Sequence, residues 1–118
     1  MQPPDVRKYL FDIQQACELL RQFTAGQTFD DYKANAMLRS AVERQFEIVG
    51  EALNRALRVA PTLTAEISDH QRIIAFRNHL IHGYAAVADD VVWGVLEKNL
   101  STLAAQVRRL LGENPQPG

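Results

Sequence analysis

The chain has 118 residues, the size of one domain, and at 47% hydrophobic and 23% charged its composition is that of an ordinary globular protein. Thirteen Lys and Arg against fourteen Asp and Glu give a net charge of -1, which excludes a surface that coats nucleic acid electrostatically and leaves room only for a small local site. The one cysteine, Cys17, excludes an internal disulfide and a cysteine-rich zinc motif. No apolar run nears the ~20 residues of a membrane span, and Met1-Gln2-Pro3-Pro4-Asp5 has no basic or apolar signal region, so a cytoplasmic location is expected.

The first predicted helix runs from Asp5 to Phe23, with Asp5 as its cap after two prolines. Val6, Leu10, Ile13, Cys17 and Leu20 recur at steps of three and four and fall on one face. Residues 24–28 read as a loop, and Thr28 or Asp30 starts a short turn through Tyr32. The second main helix spans Asn35 to Val59, with an apolar face of Leu38, Val42, Phe46, Val49, Leu53 and Leu57. Gly50 lies inside it at a cost of roughly 1 kcal/mol against Ala, which marks the close approach of another backbone. Pro61 ends this helix.

Residues 62–69 form a connector with room for a turn of helix. A third helix covers His70 to His82, and Gly83 is placed as its left-handed cap. Asp89 is placed to cap one last helix, whose apolar residues Val92, Leu96, Leu100, Leu103, Val107 and Leu110 lead to a stop at Gly112. The expected fold is all-α, an antiparallel bundle of four to five helices over residues 1–112, followed by a disordered tail at 113–118.

The unusual polar residues gather in Phe76-Arg77-Asn78-His79-Leu80-Ile81-His82-Gly83-Tyr84. Arg77 and His82 are five apart, ~140° around a helix, whereas Asn78 and His82 share a face. Either the long Arg77 side chain reaches the pocket of His82, or a second copy of the helix across a two-fold axis completes it. Arg offers a fixed fork of donors for phosphate oxygens and keeps its charge. His titrates near neutrality and moves protons. Together they suit metal-free cleavage of an RNA phosphodiester, with His82 taking the ribose 2′-OH proton, Arg77 stabilising charge on phosphorus and Asn78 in support. The structural alternative is a set of polar residues that meet the free carbonyls and dipole of the last helical turn.

This segment resembles the R-x4-H-x-Y motif of the HEPN superfamily, and more narrowly its HepT-like branch, also called domain of unknown function 86. Val42-Glu43-Arg44-Gln45-Phe46-Glu47-Ile48-Val49-Gly50-Glu51-Ala52 is similar to that branch's second-helix segment. Phe29-Asp30-Asp31-Tyr32 and Val91-Val92-Trp93 resemble two further stretches, so the resemblance runs from about Val6 to Leu111. It implies a homodimeric, metal-independent ribonuclease toxin of a type VII-like toxin–antitoxin pair, with two R-x4-H motifs in one cleft and no cofactor. It implies as partner an MntA-type nucleotidyltransferase antitoxin that transfers AMP onto the motif tyrosine, here Tyr84. Such a group adds bulk and negative charge where an RNA phosphate must dock. The alternative function is a weakly catalytic or non-catalytic helical module that serves as substrate and partner of the nucleotidyltransferase.

Other residues admit two readings. Arg72 and His79 satisfy a looser form of the motif, but only Arg77 and His82 carry Asn after the arginine and Gly-Tyr after the histidine. His79 either lines the same cleft or is a solvated surface histidine, and Tyr84 is either the modified site or a ring packed on the bundle end. Glu43, Glu47 and Glu51 repeat on one face, as in a di-iron ridge, but no Glu-x-x-His pair accompanies them and a solvated or interface face is the expectation. Arg44, Arg55 and Arg58 are surface arginines or contributors to an RNA cleft. Trp93 suits packing or a dimer interface, with base stacking as the alternative, and Cys17 a small buried hydrophobe.

Overall fold

The computed structural model describes residues 3–82 and 88–112. Among the described residues six α-helices occur in chain order: α1 (Pro4–Thr24), α2 (Phe29–Ala34), α3 (Ala36–Val59), α4 (His70–His82), α5 (Asp89–Lys98) and α6 (Leu100–Leu110), with a 3₁₀ turn at Pro61–Ala65 between α3 and α4. No strand is present among the described residues. None of their helices is long and apolar enough to cross a membrane. Gly83, Tyr84 and the expected tail at 113–118 lie outside the described residues.

The long helices form where the apolar spacing places them. On α1, Val6, Leu10, Ile13, Cys17 and Leu20 are buried as one stripe, joined by Ala16. They pack against Val42, Phe46, Val49, Leu53 and Ala56 of α3, and this is the largest interface of the fold. Burial of each large aliphatic side chain contributes about 1.5–3 kcal/mol. Leu38 and Leu57 lie at the rim of the stripe and are half-buried. Helix α6 closes the other side of α1 with Leu103 and Val107.

The helix starts differ from expectation in two places. Pro3, not Asp5, is the N-cap of α1, with no side-chain cap; Asp5 falls in the first turn, where its charge meets the helix dipole. Ala88 is the N-cap of α5, and Asp89 and Asp90 lie inside its first turn. The short turn expected near Thr28 is a full helix. Thr28 Oγ1 accepts from the Asp31 N–H (3.1 Å) and Asp31 Oδ2 accepts from the Thr28 N–H (2.9 Å), a reciprocal capping box. It holds Tyr32 fully buried, with its ring 5.4 Å from that of Trp93. Trp93 is thus a packing residue against α2.

The expected single last helix is two. Asn99 separates α5 from α6, with φ -112° and ψ -28°. Its buried side chain donates to Asp69 Oδ2 at 2.8 Å, just before α4. Apolar periodicity runs through the break, because a side-chain tether bends a helix without changing which residues face inward.

Candidate functional site

Helix α4 is fixed to α3 by two buried residues, Ile73 and Phe76. The Phe76 ring meets Phe46 edge-on at 5.2 Å, an arrangement worth about 0.5–1.5 kcal/mol beyond its area. This contact sets the register of everything that follows it. The next residue, Arg77, crosses directly over Gly50. A Cβ built on Gly50 would stand 2.2 Å from the Arg77 Cβ and 2.5 Å from its Cγ. The close approach expected at this glycine is therefore real, but what fills the space is the stem of the arginine and not a backbone.

Beyond that gap the guanidinium turns to Glu51, the next residue of α3. Arg77 Nη2 donates to Glu51 Oε2, and Arg77 Nη1 donates to Asn78 Oδ1 at 3.0 Å. The Arg77 side chain is 21% exposed, and its Nε–H is buried without a partner. The other oxygen of Glu51, Oε1, accepts from Arg55 Nε at 2.8 Å. Tyr9 of α1 lines the same groove as Arg55. The Arg55 hydrogen bond, supported by the charges of Arg77 and Arg58, holds the Glu51 carboxyl below the ordinary carboxylate range. The reciprocal bond to Glu51, and then the nearby Tyr9 hydroxyl, raises Arg55.

These residues line a groove of about 590 Å³ between α1, α3 and α4. Its charged lining is Lys8, Arg44, Arg55 and Arg77 against Asp12, Glu47 and Glu51, an excess of one positive charge. Lys8–Asp12 (3.3 Å) and Arg44–Glu47 (3.4 Å) are local pairs within one helix, each worth a few tenths of a kcal/mol. Arg77–Glu51 differs, because it joins two helices from 26 residues apart. A larger groove of about 640 Å³ lies between α1 and α5–α6, lined by Cys17, Trp93 and Arg108 among others, but it holds none of the motif residues. Chemistry rather than size places the candidate site at the smaller groove.

The structure brings Arg77 and Asn78 together by a direct hydrogen bond. It does not bring His82 into the same groove: among the described residues of α4, Arg77 and Ile81 line it. His82 is the last residue of α4 and is exposed, as is His79. One protomer therefore presents the arginine and the histidine on different parts of one helix. Arg72, the rival arginine, is exposed and lies outside the groove.

The acidic ridge separates into three environments. Glu51 bridges Arg55 and Arg77, Glu47 pairs with Arg44, and Glu43 is pushed up by burial and then by the nearby Asp89 and Glu47. Glu51 stays on the part-solvated face expected of it, with its side chain 37% exposed, and in addition takes a cation from α4, which the glycine before it lets approach. A mid-helix glycine followed at once by a carboxylate is the signal that points to this pair. Among the described residues, no group of three His, Cys, Asp or Glu is arranged to hold a metal ion.

Comparison with known proteins adds a family to this geometry. Residues 13–110 match the family model described as "Ribonuclease HepT-like". The chain is 30% identical over 105 residues to "Putative RNase TTE0752" of Caldanaerobacter subterraneus subsp. tengcongensis, covering 89% of this chain and 93% of that protein. It is 31% identical over 104 residues to "Probable ribonuclease HepT" of Thermococcus cleftensis, covering 88% and 94%. A third relative, "Gamma-glutamylcyclotransferase and putative RNase MJ0434" of Methanocaldococcus jannaschii, is 30% identical over 112 residues; the match covers 92% of this chain and 49% of that protein. No solved structure matches the chain.

Proposed function

Since this chain belongs to the HepT-like ribonuclease family, we propose that it is an RNA endonuclease whose reaction centre is built from Arg77, Asn78 and His82. The observation that carries the reading is the state of Arg77. It stands in an Arg-Asn-x3-His segment, it is held in a groove with an excess positive charge, and only one donor each goes to Asn78 and Glu51. A guanidinium has five N–H donors, so others remain for phosphate oxygens.

In the proposed reaction His82 takes the proton of a ribose 2′-OH. The 2′ oxygen forms a bond to the adjacent phosphorus, the bond from phosphorus to the 5′ oxygen breaks, and that oxygen leaves with a proton from an imidazolium. Arg77 stabilises the charge that builds on the phosphoryl oxygens. Arg77 lines the groove while His82 lies exposed at the helix end, which favours a homodimer in which a second protomer completes the site. Among the described residues five exposed large apolar side chains, Phe11, Met37, Val59, Ile81 and Val91, offer surface for such contacts. The finer proposal is a toxin of a toxin–antitoxin pair, silenced by an MntA-type nucleotidyltransferase that transfers AMP from ATP to Tyr84, with His79 as a further cleft residue.

The test is cleavage of a defined RNA oligomer by the purified chain in the presence of chelator. Wild type is expected to cut, and Arg77→Ala and His82→Ala to lose about 10²–10⁴ in rate; intact RNA with wild type overturns the ribonuclease reading. Sedimentation tests the dimer. Intact mass after incubation with the nucleotidyltransferase and ATP tests the modification: an AMP-sized increment is expected that disappears in Tyr84→Phe.

A further inference from the structure

We infer that Glu51 is the positioning residue for Arg77, and that it is the centre of a polar chain that runs from Arg55 through Glu51 and Arg77 to Asn78. The inference rests on the reading of Arg77 as the phosphate-binding group. Its observations are separate from the motif, since Glu51 lies on a different helix.

The placement of Arg77 has two parts. Gly50 supplies the space for the stem, because any side chain there would overlap the Arg77 Cβ and Cγ. Glu51 then supplies the direction. Its two carboxylate oxygens take one arginine each, Oε1 from Arg55 and Oε2 from Arg77. Asn78 fixes the second terminal nitrogen of Arg77 at 3.0 Å. With both terminal nitrogens anchored, the plane of the guanidinium is set. A long, flexible side chain thus loses its freedom before any RNA arrives, which lowers the entropy cost of meeting a phosphate in the correct geometry.

The same arrangement keeps the charge. One carboxylate between two guanidiniums leaves one net positive charge, so Glu51 orients Arg77 without neutralising the cluster. The Nε–H of Arg77 is buried and unpaired. The opposite role, a carboxylate that competes with RNA for Arg77 and lowers activity, predicts the opposite effect of removing its charge.

The experiment compares wild type, Glu51→Gln, Arg77→Ala and the double variant Glu51→Gln/Arg77→Ala on one RNA oligomer, with melting curves for each. Glu51→Gln is expected to lower kcat about 10- to 100-fold, with KM within about threefold. In the Arg77→Ala background Glu51→Gln is expected to add nothing, because the two act as one unit. Cleavage by Glu51→Gln at or above the wild-type rate overturns the inference, and so does a loss that is fully additive with Arg77→Ala. A second measurement needs no RNA. The Arg77 Nε–H proton, assigned in NMR spectra through Arg77→Lys, is expected to exchange slowly in wild type and quickly in Glu51→Gln; equal exchange also overturns the inference. Wild type that leaves RNA intact while this exchange difference is present defeats the ribonuclease reading and the catalytic purpose of the pair, yet leaves the ordering of Arg77 by Glu51 measured.

Discussion

Gly50 and Arg77 meet across the α3–α4 contact with no space between them: a Cβ on the glycine would overlap the arginine stem at 2.2 Å. The absence of a side chain at one position is what allows the long side chain at the other to lie down against α3 and reach Glu51.

Replacement of that glycine sets two effects against each other. Gly50→Ala adds helix propensity worth about 1 kcal/mol and overpacks the contact at a cost of about 1–3 kcal/mol. The overlap involves the Cβ and Cγ of Arg77, which cannot swing away while α4 is held by Phe76. Overpacking is therefore expected to win. Urea denaturation should show a net loss of up to about 2 kcal/mol, and RNA cleavage should fall with it as Arg77 moves off Glu51. A more stable Gly50→Ala protein would show that α4 yields freely.

The bend between α5 and α6 depends on one hydrogen bond. Asn99 is buried, and its amide donates to the Asp69 carboxylate at 2.8 Å. Asn99→Ala is expected to cost about 1.5–3 kcal/mol, the range for a bond to a charged group. Asp69→Ala should cost a similar amount and the double variant little more, a coupling that denaturation curves of the three proteins measure directly.

Alkaline stability should be limited by Cys17. Burial raises its thiol from the ordinary 9.0 to about 12. Between those values the unfolded chain has lost a proton that the folded chain retains. The folded state is then at no disadvantage below pH 9 and loses stability as pH rises towards 12, by at most about 1.4 kcal/mol for each pH unit. Burial also raises Tyr32 above its ordinary 10.0, with the same sign. Cys17→Ala should lose less stability than wild type between pH 8 and pH 10.5; identical losses would show that the thiol does not contribute. At pH 8 a thiol reagent should label the native protein far more slowly than the unfolded one.

The Tyr32 hydroxyl is buried with no hydrogen-bond partner. Its ring packs on Trp93, and this contact survives in phenylalanine. Tyr32→Phe removes an unpaired polar atom and should leave stability unchanged or raise it by up to about 1 kcal/mol. A marked fall in melting temperature would reveal a hydrogen bond made by the hydroxyl in solution.

Much of this protein was already written in its residue spacing. Steps of three and four placed the buried faces of α1, α3 and α6, because a helix of 3.6 residues per turn can bury only one stripe. Pro61 gave the end of α3, and Thr28 was one of two residues placed at the start of α2, because caps and breakers act within a few residues. The motif residues Arg77, Asn78 and His82 were legible for the same local reason. Tertiary structure alone decided what Arg77 touches. Glu51 and Arg77 are 26 residues apart, and on its own helix Glu51 is one carboxylate of three at equal spacing. Only the packing of Phe76 on Phe46, and the gap at Gly50, selects that carboxylate. The break at Asn99 was hidden likewise, since its cause, Asp69, lies 30 residues away. Sequence periodicity reports which face of a helix is buried. It does not report which residue of another helix arrives there, because that depends on how whole helices dock.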